Sequence, residues 1–306
     1  MSPTFRILAA TCAAAVALVG VAAARLGEDA PALPRPPQLL SQTGLYVQPG
    51  TSQVDPHNLH YAPQYPLWSD GARKSRWAYF PPGTTIDARQ TDAWVFPVGT
   101  KFWKEFAFAG RKAETRLLWK VTDRDWVFAT YVWGPDQRDA TLAPEAGIAA
   151  FLEIAPRKRH SIPGVLDCKM CHDSRRTEVL GFTALQLSTD RDPNAPHAEP
   201  LEAGMATLQT LADEHLLEPA RPDLLRKPPR IPADNPRTRS ALGYMTTNCG
   251  ACHNPANPIA ALGMMLQHSS AATDAAREPA METALGVASR WPIPGAKGGA
   301  TQRLAP

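Results

Sequence analysis

Residues 144–154 read PEAGIAAFLEI, and the fold of everything after them turns on how they are taken. A proline at the start and an amphipathic pattern predict a short helix. Downstream, EAGMATLQTLADEHLL sets Met205, Leu208, Leu211 and Leu216 at helical spacing, and RTRSALGYMTTNCGACH does the same at Leu242 and Met245. The proline-rich PARPDLLRKPPRIPADNP reads as a linker between the two.

Upstream the composition is different. Seven of the eight tryptophans lie between Trp68 and Trp133, in short aromatic and β-branched runs: SRWAYF, AWVFPVG, TKFWKEFAF, ETRLLWKVT and DWVFATYVW. Breaks such as PPGTT and VTDRDW separate them, which is the pattern of an antiparallel β domain. Its aromatic residues suit a small sandwich core better than a carbohydrate-binding surface. The expected fold class is therefore α+β, an antiparallel β domain followed by a mostly helical region. The expected organisation is an export signal at 1–24, a proline-rich lead-in at 25–65, the β domain at 66–142, and two regions at 143–235 and 236–306 that each carry one cysteine motif. There are 31 prolines in the 306 residues, which predicts many short elements joined by stiff connections.

The motifs are DCKMCHDS at residues 167–174 and NCGACHNP at 248–255. The N-terminal segment has a basic start at Arg6, an apolar run ILAATCAAAVALVGVAAA and small residues at Ala22–Ala24 before the polar RLGEDA, as an export signal does. An uncleaved anchor is the rival reading; cleavage would leave no membrane span. Cys12 makes a poor lipidation site, because Thr11 precedes it and the apolar run continues past it. Removing that segment leaves Cys168, Cys171, Cys249 and Cys252, all within the two motifs, so none remains for a structural disulfide. The formal net charge of +3, with no long charge block, sets nucleic-acid binding aside.

Three chemistries compete for Cys-x-x-Cys-His. A redox dithiol gives no reason for the histidine. A zinc site would need the two pairs to converge across a linker and a helix. Covalent haem uses every residue: two thiols take up the two vinyl groups, and the next histidine is the proximal iron ligand. Two haem c groups are therefore expected, one on Cys168, Cys171 and His172 and one on Cys249, Cys252 and His253. Each proximal histidine should donate its second ring N–H to a nearby carbonyl.

The sixth ligands separate a carrier from a catalyst. Candidates are Met205, His197 and His215 for the first haem, and Met264, Met265, His268 and Met281 for the second. Met170 and Met245 lie too near their own motifs. His57 and His60 could approach a haem only through interdomain packing. His160 ends the basic run PRKRH, which could meet haem propionates or an acidic partner, but whose plain reading is a solvated loop.

The segment PLWSDGARKSRWAYFPPGTTI, with WVFPVGTKFWKEFAF, AETRLLWKV and YVW, resembles the N-terminal part of a family of bacterial periplasmic dihaem c-type cytochromes. The similarity continues through DCKMCHDSRRTEVLGFTALQLS and GYMTTNCGACHNP and covers most of residues 60–265. It implies covalent haem at both motifs and electron transfer, with periplasmic or membrane-bound redox proteins as partners. Relatives of this type usually continue into a Met-Pro loop that supplies a distal methionine. This chain instead ends in RWPIPGAKGGATQRLAP. The second haem would then lack that ligand, recruit one of the candidates above, or take one from a partner; a truncated reading frame would have the same effect. The favoured function is periplasmic electron transfer. A dihaem peroxidase-like oxidoreductase with an open distal site is the alternative, and a redox or ligand sensor or docking subunit is a third class.

Overall fold

A computed structural model describes residues 32–173, 177–289 and 302–304. The proposed signal at 1–24 and most of the C-terminal stretch RWPIPGAKGGATQRLAP lie outside the described residues.

The aromatic runs form one antiparallel sheet. β1 (Leu59–His60), β2 (Arg73–Tyr79), β4 (Lys101–Phe108), β5 (Arg111–Lys120), β6 (Trp126–Trp133) and β7 (Ala140–Leu142) hydrogen-bond in that order. β3 (Ile86–Asp87) lies outside this sheet and pairs in parallel with β10 (Leu217–Glu218). Side chains alternate across the sheet, so each strand contributes to two cores. On the outer face, Trp103, Leu117, Ala129, Tyr131 and Trp133 bury against Leu40, Leu45 and Tyr46. The proline-rich lead-in is thus seated on the sheet: the Trp103 indole donates to Thr43 Oγ1 at 2.9 Å, and the Tyr131 hydroxyl donates to the Pro37 carbonyl at 3.0 Å.

On the inner face, Ala78, Phe102, Trp126 and Phe128 pack with Tyr61, Trp94, Phe96 and Phe182, and with Leu208, Leu211 and Leu217 from farther along the chain. The Phe182 ring meets Tyr61 edge-on, with centroids 4.9 Å apart. A third core gathers Tyr65, Leu185, Ile231, Leu242 and Leu266. The described residues from Pro36 onward make up one compact unit.

The expectation of a mostly helical region after residue 143 is overturned: the fold is mainly antiparallel β sheet with short helices. PEAGIAAFLEI is not a helix. Ile148–Ala155 is strand β8, paired with β9 (Lys158–Ile162) as a two-stranded ribbon. Gly147 is the local reason. It sits at φ +75°, and a Cβ there would meet the Ile162 carbonyl oxygen at 2.4 Å and the Gly164 nitrogen at 2.5 Å. The chain turns there instead of winding on, and KRHSI supplies the pairing partner. EAGMATLQTLADEHLL is helical only at α2 (Leu208–Asp213), because Gly204 at φ +82° and His215 at φ +54° bound it with turns. The other helices are α1 (Val165–His172), α3 (Pro222–Arg226), α4 (Pro236–Asn248) and α5 (Pro279–Ala284). Of these, α4 is the longest at 13 residues.

The solvated-loop reading of His160 is also overturned. His160 is 3% exposed on β9. Its Nδ1 meets Asp70 Oδ2 and its Nε2 meets Glu114 Oε1, each at 3.0 Å. Carboxylates only accept, so both ring nitrogens carry hydrogen and the ring is an imidazolium. The Glu114 bond, then the Asp70 bond, raise the His160 pKa against the opposing effect of burial. Asp70 is correspondingly held low, first by its bond to His160. Burial alone would raise Glu114, but His160 and Arg116 outweigh it and hold it low.

The sign follows from linkage. A raised histidine stabilises the fold fully below its unfolded value, about 6.5, and that contribution fades as pH rises through the folded value. The expected result is a urea midpoint that falls between pH 6.5 and the mildly alkaline range, and a His160→Gln variant whose midpoint is lower at pH 6 and flatter across that window. An unchanged slope in the variant would show that the latch does not titrate.

Candidate functional site

The first motif lies on α1. The Gly164 N–H donates to Asp167 Oδ2 at 2.9 Å, which starts the helix with a carboxylate at its positive end. Cys168, Cys171 and His172 are spaced i, i+3 and i+4, so both thiols and the imidazole share one helical face. Cys168 packs against the inner core, and the His172 ring stands 5.5 Å from the ring of Phe128 on β6. Leu166 and Met170 project from the opposite side and are 77% and 67% exposed.

The second motif continues α4. Cys249 caps the helix, with its N–H on the Met245 carbonyl at 2.9 Å. The N–H groups of Cys252 and His253 then return to the Cys249 carbonyl at 3.0 and 2.9 Å, which adds one further turn. Cysteines and histidine again come to one side of a turn. Asn254, 1% exposed, fixes the exit: its amide donates to the carbonyls of Gly250 (3.0 Å) and Ala251 (2.9 Å).

The two histidines are oriented alike. His172 Nδ1 bonds the Glu178 carbonyl, and His253 Nδ1 bonds the Met264 carbonyl, the latter at 3.1 Å. A carbonyl only accepts, so Nδ1 carries the hydrogen and Nε2 carries the lone pair in each neutral ring. That is the tautomer a metal-ligating histidine needs, with its second nitrogen tied down. Helical thiol spacing and this tautomer both fit covalent haem with a proximal histidine. Neither acceptor was visible in the sequence, because Glu178 and Met264 contribute only backbone.

The competing chemistries fit less well. A redox dithiol calls for a thiol with lowered pKa. Burial instead pushes the Cys168 and Cys249 thiols up. Among the described residues no three His, Cys, Asp or Glu side chains gather as a metal-ion site, so the two pairs do not converge on zinc.

The candidate distal residues scatter. His197 and His215 are exposed, at φ +61° and +54°. Met205 Sδ accepts from the Glu202 N–H at 3.4 Å. His57 is exposed beside Asp55, and His60 stacks on Trp77 with centroids 5.5 Å apart. Met264 and Met281 pack on the third core. Met265 and His268 line a cavity of about 290 Å³ beside Asn254 and Pro255, directly after His253. His268 is buried there, with its Nδ1 2.8 Å from Glu278 Oε1.

The segments behind the two histidines meet. Thr177 and Val179 flank the carbonyl that holds His172, while Gln267 and His268 follow the one that holds His253. All four line a single cavity of about 50 Å³ together with Thr246 of α4. No helix among the described residues is long and apolar enough to cross a membrane. No family model, curated protein or solved structure matches the chain.

Proposed function

We propose that this chain is a dihaem c-type cytochrome, exported to the periplasm, that passes electrons between redox proteins. The observation that carries the reading is the geometry found twice: two thiols and a histidine on one helical turn, with histidine Nδ1 tied to a backbone carbonyl. Bound haem c would supply an iron that cycles between ferrous and ferric states. Cys168 and Cys171, and Cys249 and Cys252, would anchor the two rings. His172 and His253 would present Nε2 to the metals, their orientation held by the carbonyls of Glu178 and Met264. The shared cavity behind the two histidines supports a short route between the motifs, and the exposed Leu166 and Met170 lie beside the first for contact with a partner.

Mass spectrometry of the mature chain tests this directly. Two haem additions and a mass lacking the first 24 or so residues are expected; an unmodified chain would sink the reading. The packing of Met264 and Met281 into the third core favours keeping a second reading, a peroxidase-like oxidoreductase with an open distal site. Two low-spin ferric haems that ignore peroxide identify the carrier, and a high-spin haem that reacts with peroxide identifies the enzyme.

A further inference from the structure

The inner face of the sheet carries a row of cations that its carboxylates do not match. Register places Arg76 of β2 beside Lys104 of β4, and Lys104 beside Arg116 of β5. Lys74 stands one pleat farther along β2. Two carboxylates answer them. Glu199 lies 3.2 Å from Arg76 and 3.9 Å from Lys74, and Glu114 lies 2.6 Å from Arg116 while also holding His160. Lys104 has neither a hydrogen bond nor an ion pair among the described residues; its ammonium only faces the Phe106 ring at 4.9 Å. Arg76 has a side chain 4% exposed, and its Nη2 is buried without a partner.

Neighbouring strands lie about 4.8 Å apart, and like charges set directly opposite one another destabilise a sheet. Burial first, and then the charges of Arg76, Arg116 and Lys74, push the Lys104 pKa well below the usual lysine value. Buried donors are ordinarily satisfied, and Arg76 Nη2 is not, so an anion would complete this face.

Its position indicates which anion. One pleat along the same face, about 7 Å away by strand rise, lies the row Ala78, Phe102, Leu118 and Phe128. Phe128 touches His172, and Cys168 packs on this core. The cations therefore border the floor on which the first motif sits. Haem carries two carboxylates on the ring edge opposite its two vinyl carbons, so a ring anchored at α1 turns its carboxylates away from the cysteines.

We propose that Arg76, Lys104 and Arg116 form the seat for the two carboxylates of the haem held at Cys168 and Cys171. The proposal rests on the dihaem reading. Arg76 suits it because its Nη2 has no partner, Arg116 keeps its Nη1 beyond the two bonds from Nε and Nη2 to Glu114, and the Lys104 ammonium adds a compact charge.

The test is a spectroelectrochemical titration of the mature full-length chain, comparing wild type with Lys104→Gln, Lys104→Arg and the exposed Arg73→Gln. A cation beside the ring favours the ferrous state. Lys104→Gln should therefore lower one of the two midpoints and leave the other in place, while Lys104→Arg retains most of the wild-type value and Arg73→Gln moves neither. A Lys104→Gln shift no larger than that of Arg73→Gln would overturn the assignment. So would a free carboxylate as the occupant, seen as a melting temperature of the mature protein that rises with added succinate in wild type but not in Lys104→Gln. Failure of the dihaem reading itself is distinguishable, because the mass spectrum would then show no haem before any titration.

Discussion

Gly243→Ala is expected to destabilise the protein by about 3 kcal/mol or more, although alanine is the better helix former by about 1 kcal/mol. Gly243 lies inside α4, and a Cβ there would fall 2.1 Å from Tyr65 Cε1 and 2.2 Å from Cδ1. Tyr65 has nowhere to move. It is 1% exposed, and its hydroxyl donates to Asp192 Oδ2 at 3.1 Å. Its backbone N–H donates to Gln186 Oε1 at 2.9 Å, and its carbonyl accepts from Gln186 Nε2 and Thr247 Oγ1 at 3.1 and 2.9 Å. The helix must shift instead, and with it the turn that presents Cys249, Cys252 and His253. Urea unfolding reads the loss, and haem content per chain reads its consequence for the second motif. A double-mutant cycle with Tyr65→Leu should recover part of the loss. A gain in stability for Gly243→Ala alone, the sign propensity requires, would show that the close approach is absent.

The second large effect is on cofactor content. Cys168→Ser with Cys171→Ser should reduce two haems per chain to one, and the pair at Cys249 and Cys252 should do the same independently. The motifs sit on different helices, and Cys168 and Cys249 pack on different cores, so neither attachment depends on the other. Thiol alkylation gives the complementary readout: no reactive cysteine in the mature wild-type chain and none in either double variant. Labelling of all four thiols in the mature wild type would mean that no thioether forms.

The sheet was legible because β2, β4, β5 and β6 each coincide with one of the aromatic runs, where alternation and composition agree. The helix α4 was legible for the same reason, its periodic Leu242 and Met245 following a proline at its first position. PEAGIAAFLEI misled because a short apolar run carries no preference strong enough to outweigh a distant partner. Its fate was decided by KRHSI and by the clearance at Gly147. The two Cys-x-x-Cys-His motifs were legible because haem attachment, the chemistry proposed for them, dictates that spacing. The groups that orient them were not, since a carbonyl has no sequence signature. The charges on the inner face did leave a signal: Arg76, Lys104 and Arg116 occupy positions that alternation assigns to the interior, where a lysine or arginine needs a reason to be.

The inner core has a temporal side as well. Its sheet half comes from strands complete by residue 133, but its other half, from Val179 to Leu224, follows the first motif in the chain. If the chain is exported from its N-terminus as proposed above, Cys168, Cys171 and His172 would emerge while that core is still open. Only the segment emerging afterwards brings the Glu178 carbonyl to His172 and closes Phe182 over the sheet. On that reading the order of residues along the chain would set an order of events, with Cys168, Cys171 and His172 presented before the walls around them are built.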